Sequence, residues 1–269
     1  MCGLPYQNGI QPAAGLRPTA GFDSLNPEHS KEEMDICSSG NIYYLPRLRE
    51  CQAVFRDRTH AGRCIADMIK ESDAVVLGIP AGGIPVATVV ARALGLSLDV
   101  AVVSKITLPW NTEAGYGAVA FDGSLQLNEP LIIQAGLRRE QVQAGIDKTR
   151  SKVAERTRRL RGGNLLLELY DKTVIVVDDG LASGYTMRAA VDALTRCKVG
   201  RIIVAVPTGH AAAVEEIARE VHTLYCPNIR SGPRFAVADA YENWTDVSES
   251  EAETILNTFD TVPPAATSA

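Results

Sequence analysis

The segment Val174-Ile-Val-Val-Asp-Asp-Gly-Leu-Ala-Ser-Gly-Tyr-Thr186 constrains this chain more than any other stretch. Thr173 to Val177 is its most apolar β-branched run, which suits a strand buried on both faces. Two acids and a glycine then end the strand, because Asp-Asp-Gly favours a turn over a continuing ladder. Small and hydroxyl residues follow, and Thr186 to Cys197 has the apolar spacing of a helix. A buried strand, an acidic turn and a helix opening on small residues belong to a parallel, helix-covered sheet.

The rest of the chain repeats that alternation. Asp57 is placed to cap a helix over 58–71, with Ala61, Cys64, Ile65 and Met68 at helical spacing. Ala74 to Ile79 reads as a buried strand ending in Pro80-Ala81-Gly82-Gly83, then a helix to Leu94, then a strand from Leu98 to Val103. Residues 105–117 carry Pro, Asn, Thr and glycines without an apolar period and read as a loop, and Val119 to Leu127 as a short hairpin about Asp122-Gly123. Arg139 to Arg161 is helical and stopped by Gly162-Gly163. Arg201 to Val206, His210 to Val221 and Thr223 to Cys226 complete a strand, helix, strand series. The fold class is therefore α/β, a mostly parallel sheet flanked by helices. Ligands of such sheets bind at the carboxyl ends of the strands, which points to the loops after Ile79, Val103, Val177 and Val206.

At the end of the Val174 strand, two carboxylates beside one another suit a sugar diol, or magnesium held by it. Successive strand side chains point oppositely, but the turn at Gly180 can bring Asp178 and Asp179 to one ligand. The N–H groups at the helix start, with the Ser183 and Thr186 hydroxyls, form a cradle for a phosphate monoester. The same residues also suit a plain turn and cap. An ATPase strand end would need a Gly-x4-Gly-Lys-Ser/Thr loop, and the chain contains none.

Val176 to Thr186 resembles the signature with which type I phosphoribosyltransferases bind 5-phosphoribosyl-1-pyrophosphate (PRPP). The resemblance implies that Asp178 and Asp179 hold the ribose hydroxyls and, directly or through ribose or water, a magnesium ion. It implies that Ala182, Ser183, Gly184, Tyr185 and Thr186 wrap the 5-phosphate. It further implies a pyrophosphate loop, which fits Leu77 to Val86, with Pro80, Ala81, Gly82 and Gly83 as contacts. Lys105 would offset charge on the departing pyrophosphate. The 105–119 stretch corresponds to the family's mobile lid, where Glu113 could meet the nucleophile or its proton. The catalytic set is thus Asp178, Asp179, Lys105 and Glu113.

The order of Phe55–Arg63, the Leu77–Val86 loop, Lys105, Asn111–Glu113, the Asp178–Thr186 signature and Phe235–Tyr241 with Trp244 looks like a subfamily of predicted phosphoribosyltransferases of undefined nucleobase specificity. The similarity spans about 43–257. Residues 1–42 read as a loosely ordered N-terminal extension, 43–257 as the phosphoribosyltransferase domain with a small hood, and 258–269 as a flexible C-terminal tail. Where 6-oxopurine enzymes often carry a third acid within the signature, this chain has Ala182, as adenine-type relatives do. Phe235, Tyr241 and Trp244 could stack on a flat base or simply cover the core edge. Arg56 and Arg58 could assist with phosphates or lie in solvent.

The net charge of −5 argues against general affinity for nucleic acid or anionic membranes. The longest apolar runs are strand-sized, and the first residues lack the basic-then-apolar order of an export signal, so a cytoplasmic protein is expected. The six cysteines form no CxxC pair or zinc spacing and read as reduced thiols. Residues 138–161 hold nine Lys/Arg against three Asp/Glu, which reads as a solvated helix face rather than an RNA-binding one. The expected function is Mg-dependent transfer of the phosphoribosyl group to a nitrogen acceptor in nucleotide metabolism, with homodimers common in similar proteins. The alternative is a non-catalytic PRPP- or nucleotide-sensing regulator, with RNA binding as a further variant.

Overall fold

The computed structural model describes residues 35–162 and 168–259, apart from the Thr112 and Glu113 side chains. In chain order its strands are β1 (Cys37–Ser39), β2 (Ile42–Tyr44), β3 (Val75–Gly78), β4 (Ser97–Val100), β5 (Val103–Leu108), β6 (Asn111–Ala120), β7 (Leu125–Leu127), β8 (Thr173–Val177), β9 (Arg201–Ala205), β10 (Thr208–His210), β11 (Thr223–Tyr225) and β12 (Asn228–Arg230). The helices are α1 (Arg58–Ala66), α2 (Gly83–Leu94), α3 (Glu129–Gln134), α4 (Arg139–Leu160), α5 (Tyr185–Arg196), α6 (Ala211–Ala218) and α7 (Glu249–Asn257).

The main sheet runs β1-β2-β11-β9-β8-β3-β4, parallel throughout except for the antiparallel β1–β2 pair at its edge. β8 and β3 are adjacent interior strands, paired Val174 to Val75 and Val177 to Gly78. The β-branched run is there because both its faces are covered: Val174, Ile175, Val176 and Val177 are fully buried. Adjacent, in-register strands bring their carboxyl ends level, so the loops after Gly78 and Val177 emerge side by side. The α1 cap is the one its sequence predicts, with Asp57 Oδ1 accepting the His60 amide at 2.8 Å.

Three expectations need correction. Residues 105–117 are not an irregular lid: β5 and β6 form an antiparallel hairpin that β7 extends, with a register shift around Thr107. The hairpin is ordered because Ile106, Leu108, Tyr116 and Val119 bury themselves with Ile146 and Val153 of α4. Gly145 makes room for the Tyr116 ring, since a Cβ there would lie 2.0 Å from the phenol oxygen. The strand expected over 98–103 divides at Ala101-Val102, β4 joining the main sheet and β5 leaving it for the hairpin. Finally, Cys37–Ser39 and Ile42–Tyr44 pair along the main sheet's edge, so the ordered domain reaches back into the expected 1–42 extension. The hairpin about Asp122-Gly123 is present, with Val119 opposite Leu125. Residues 1–34 of that extension, Gly163 of the expected helix stop and residues 260–269 of the tail lie outside the described residues.

Among the described residues, no helix is long and apolar enough to cross a membrane. The five described cysteines are free thiols.

Candidate active site

The site begins where two glycines let a loop lie directly on the acid pair. After β3 the chain turns through Pro80-Ala81, whose peptide bond is cis, and enters α2 at Gly83. The amide of Ile79 donates to the Val177 carbonyl at 2.8 Å, tying this loop to the end of β8. A Cβ on Gly82 would sit 2.1 Å from Asp179 Oδ2, and one on Gly83 2.8 Å from the Asp178 Cα. A side chain at Gly82 would displace the Asp179 carboxylate, and one at Gly83 would displace the backbone at Val177 and Asp178.

Asp178 and Asp179 are both partly buried, with the Asp179 side chain 15% exposed. Asp178 Oδ1 accepts the Asp179 amide at 2.8 Å. Burial and then the Asp179 charge push the Asp178 carboxyl well above the usual carboxylate range. Burial also raises Asp179, and the Arg58 guanidinium opposes that rise. Arg58 donates to Asp179 Oδ2 from Nε at 3.0 Å and from Nη2 at 2.8 Å. Its own position is fixed from the C-terminal side of the chain. Nη1 donates to the Thr245 carbonyl at 2.7 Å, and the guanidinium lies 4.0 Å from the Trp244 ring centroid. Tyr241 completes the clamp by donating its hydroxyl to the Asp179 carbonyl at 2.7 Å. With Oδ2 of Asp179 and Oδ1 of Asp178 occupied, the remaining carboxylate oxygens, Asp179 Oδ1 and Asp178 Oδ2, have acceptor capacity for a ligand.

This clamp redefines several sequence expectations. Arg58 serves the acid pair rather than lying in solvent, whereas Arg56 is exposed and paired with Asp57 at 3.4 Å. Tyr241 packs tilted against Phe55 and Trp244 against Tyr241, so these aromatics cover the core edge and Arg58. Phe235 lies elsewhere, under the Arg230 guanidinium at 4.5 Å and edge-on to His210. The pairing of the hood with Arg58 was invisible in sequence because Arg58 and Thr245 are 187 residues apart.

On the other side of Gly180 the chain turns into α5. Leu181 is held by backbone bonds to Thr208 and His210 of β10. Ala182 and Ser183 are exposed, and Gly184 turns the chain with φ 78° before α5 starts at Tyr185. The first N–H groups of α5 have no intrahelical acceptor, so they face outward as donors.

A cavity of about 380 Å³ joins these parts. Pro80 and Gly82, Asp178 and Asp179, and Thr186 line it. β5 adds Ser104, Lys105 and Thr107, and α4 adds Lys152 and Arg156. Of the expected residues, Asp178, Asp179, Lys105, Pro80, Gly82 and Thr186 thus surround one space. Ala81 and Gly83 lie in the same loop, and Ala182 to Tyr185 precede Thr186 directly. Glu113 falls on β6, but its side chain lies outside the described part of the structure. Sequence reading missed Lys152 and Arg156 by treating the basic helix as a solvated face. Their i, i+4 spacing beside the buried Val153 and Thr149 was the available signal.

The residues present suit magnesium only in part. Two carboxylates are hard oxygen donors, and no group of three or more His, Cys, Asp or Glu side chains that could hold a metal occurs among the described residues. A magnesium ion here would take most of its six ligands from ligand oxygens and water, as it commonly does beside phosphates.

Comparison with known proteins shows the family of the chain. Residues 52–238 match the family model described as the phosphoribosyl transferase domain. Two Mycobacterium tuberculosis proteins, of strains H37Rv and CDC 1551, are named as candidate phosphoribosyl transferases. Each is 33% identical to this chain over 210 residues, covering 76% of it. The match spans only 46% of the length of those relatives. The crystal structure of TT1426 from Thermus thermophilus superposes with a TM-score of 0.62 at 32% identity, covering 76% of this chain and 98% of that one. The matched segment contains the glycine loop, the acid pair and the Ala182–Thr186 turn, and with them the chain belongs to the phosphoribosyl transferase domain family.

Proposed function

We propose that this domain transfers the 5-phosphoribosyl group of PRPP to a nitrogen acceptor, a nucleobase in the first instance, and releases pyrophosphate in a magnesium-dependent reaction. The observation that carries this reading is the close packing of the glycine loop on the partly buried Asp178–Asp179 pair, around a cavity that Thr186 also lines. The open oxygens of Asp178 and Asp179 accept the ribose hydroxyls, which orients C1 of the sugar toward the pyrophosphate loop. The α5 N-terminus and Thr186 hold the 5-phosphate with backbone and hydroxyl donors. Lys105 supplies positive charge where the leaving group departs. Magnesium, when bound with the diphosphate, neutralises the charge that builds on it. The protein thereby contributes fixed charges and orientation rather than a covalent intermediate. Cytoplasmic location and homodimer formation belong to the same reading.

The test is pyrophosphate release from PRPP with magnesium across a panel of purines, pyrimidines and other nitrogen bases, beside a control lacking acceptor. Release that depends on one acceptor and disappears in Asp178→Asn/Asp179→Asn supports transfer and names the acceptor. PRPP binding without release under any acceptor would replace the enzyme with a PRPP sensor.

A further inference from the structure

Nine basic residues stand between 138 and 161, and most at the C-terminal end of α4 have structural partners. Arg158 pairs with Glu155, Arg159 with Glu249 and Glu253 of α7, and Arg161 with Asp99. Lys152 is different. It is exposed, makes no ion pair among the described residues, and lines the cavity one helical turn from Arg156. Arg156 is anchored: Nη1 donates to the Val103 carbonyl at 3.1 Å and to Ser104 Oγ at 2.8 Å, and Nη2 meets Glu249 at 2.5 Å. Its Nε is buried without a hydrogen-bond partner. These contacts fix α4 against β5, and so fix Lys152 relative to Lys105 and Thr107.

The charge balance of the cavity then has a direction. Its acids are Asp178 and Asp179, and Arg58 already compensates Asp179. Lys105, Lys152 and Arg156 stand on β5 and α4, with Glu249 offsetting only Arg156. Two lysines without acidic partners among the described residues face a space whose phosphate monoester cradle lies on a different element, α5. Two cations lining one space suit a diphosphate. Resting on the phosphoribosyl-transfer reading above, we propose that Lys152 binds the pyrophosphate group, both within PRPP and as released product.

Calorimetric titration of the full chain with pyrophosphate, ribose 5-phosphate and PRPP, each with and without magnesium, tests this assignment. Lys152→Ala should weaken pyrophosphate binding by about tenfold, the loss expected for one charge-assisted contact. Ribose 5-phosphate binding should change by less than about twofold, because its phosphate has its own donors. Lys152→Arg should restore most of the affinity. Arg150→Ala, which removes a charge about 200° around the same helix, should leave both affinities unchanged. Unaltered pyrophosphate binding in Lys152→Ala, equal losses for both ligands, or an equal loss in Arg150→Ala each overturns the proposal. A wild-type chain that binds pyrophosphate through Lys152 but neither PRPP nor ribose 5-phosphate would keep this site and remove the phosphoribosyl reading. One that binds ribose 5-phosphate but no pyrophosphate would do the reverse.

Discussion

Replacing Arg58 with alanine tests the clamp that the fold places behind the acid pair. Arg58 and Asp179 meet at 2.8 Å with side chains only 10% and 15% exposed, so the pair is largely out of water. Removing the cation leaves a buried carboxylate uncompensated beside a second one, which costs about 3–5 kcal/mol when one partner of a buried pair is deleted. For a chain of this size that corresponds to a fall in Tm of roughly 10 °C. The defect must also depend on pH. The folded-state carboxyl of Asp179 is already raised by burial, and losing Arg58 raises it further. A carboxyl raised in the folded state binds more protons there than in the unfolded chain, so stability falls as pH rises through that range. The Tm difference between wild type and Arg58→Ala should therefore widen as pH rises from the ordinary carboxylate range, by calorimetry or circular dichroism. Adding Asp179→Asn removes the stranded charge, so the double variant should be more stable than Arg58→Ala alone at pH 8. A gap that stays constant with pH, together with a double variant no more stable than the single one, would refute the electrostatic account of the clamp.

Other outcomes follow from the same geometry. Gly82→Ala puts a methyl 2.1 Å from Asp179 Oδ2, so PRPP affinity in calorimetry should drop about tenfold or more while Tm falls by only a few degrees. Unchanged affinity would place the diol elsewhere. The Asp178 carboxyl, raised by burial and by Asp179, accepts hydroxyl hydrogen bonds most strongly once ionised. PRPP binding should thus be present at high pH and be lost, on acidification, at a pH well above the ordinary aspartate value of 3.8; an acidic limb at that ordinary value would contradict it. Gly145→Ala pushes a methyl onto the Tyr116 hydroxyl and should destabilise by about 1–3 kcal/mol in denaturant unfolding. Tyr116→Phe in the same chain should recover part of that loss, and no recovery would mean that α4 and the hairpin are not in contact there.

The strand Thr173–Val177, the acid pair after it and the small-residue start of α5 were legible from local chemistry alone. Four buried β-branched aliphatics, a turn-forming Asp-Asp-Gly and a glycine before a helix admit few other structures, and the glycine loop after Leu77 follows the same logic. The hairpin over 103–120 was harder to read. Its apolar alternation, Ile106 with Leu108 and Tyr116 with Ala118, is interrupted by Gly115, which lies against Lys105 of β5, and Gly117, which lies against Gln126 and Leu127 of β7. Local propensity describes such a segment as a loop, and only burial against a distant helix makes it a sheet.

The amino-acid sequence by itself determined which loops bear acids, glycines and hydroxyls, because those features depend on neighbours a few residues away. Tertiary structure decided what those groups face. It set Arg58 behind Asp179 through Trp244 and Thr245, and it turned Lys152 and Arg156 of a basic helix into a wall of the cavity. The physical reason is that a charge finds its partner by proximity in space. That proximity is created by burying apolar faces whose contacts span most of the chain.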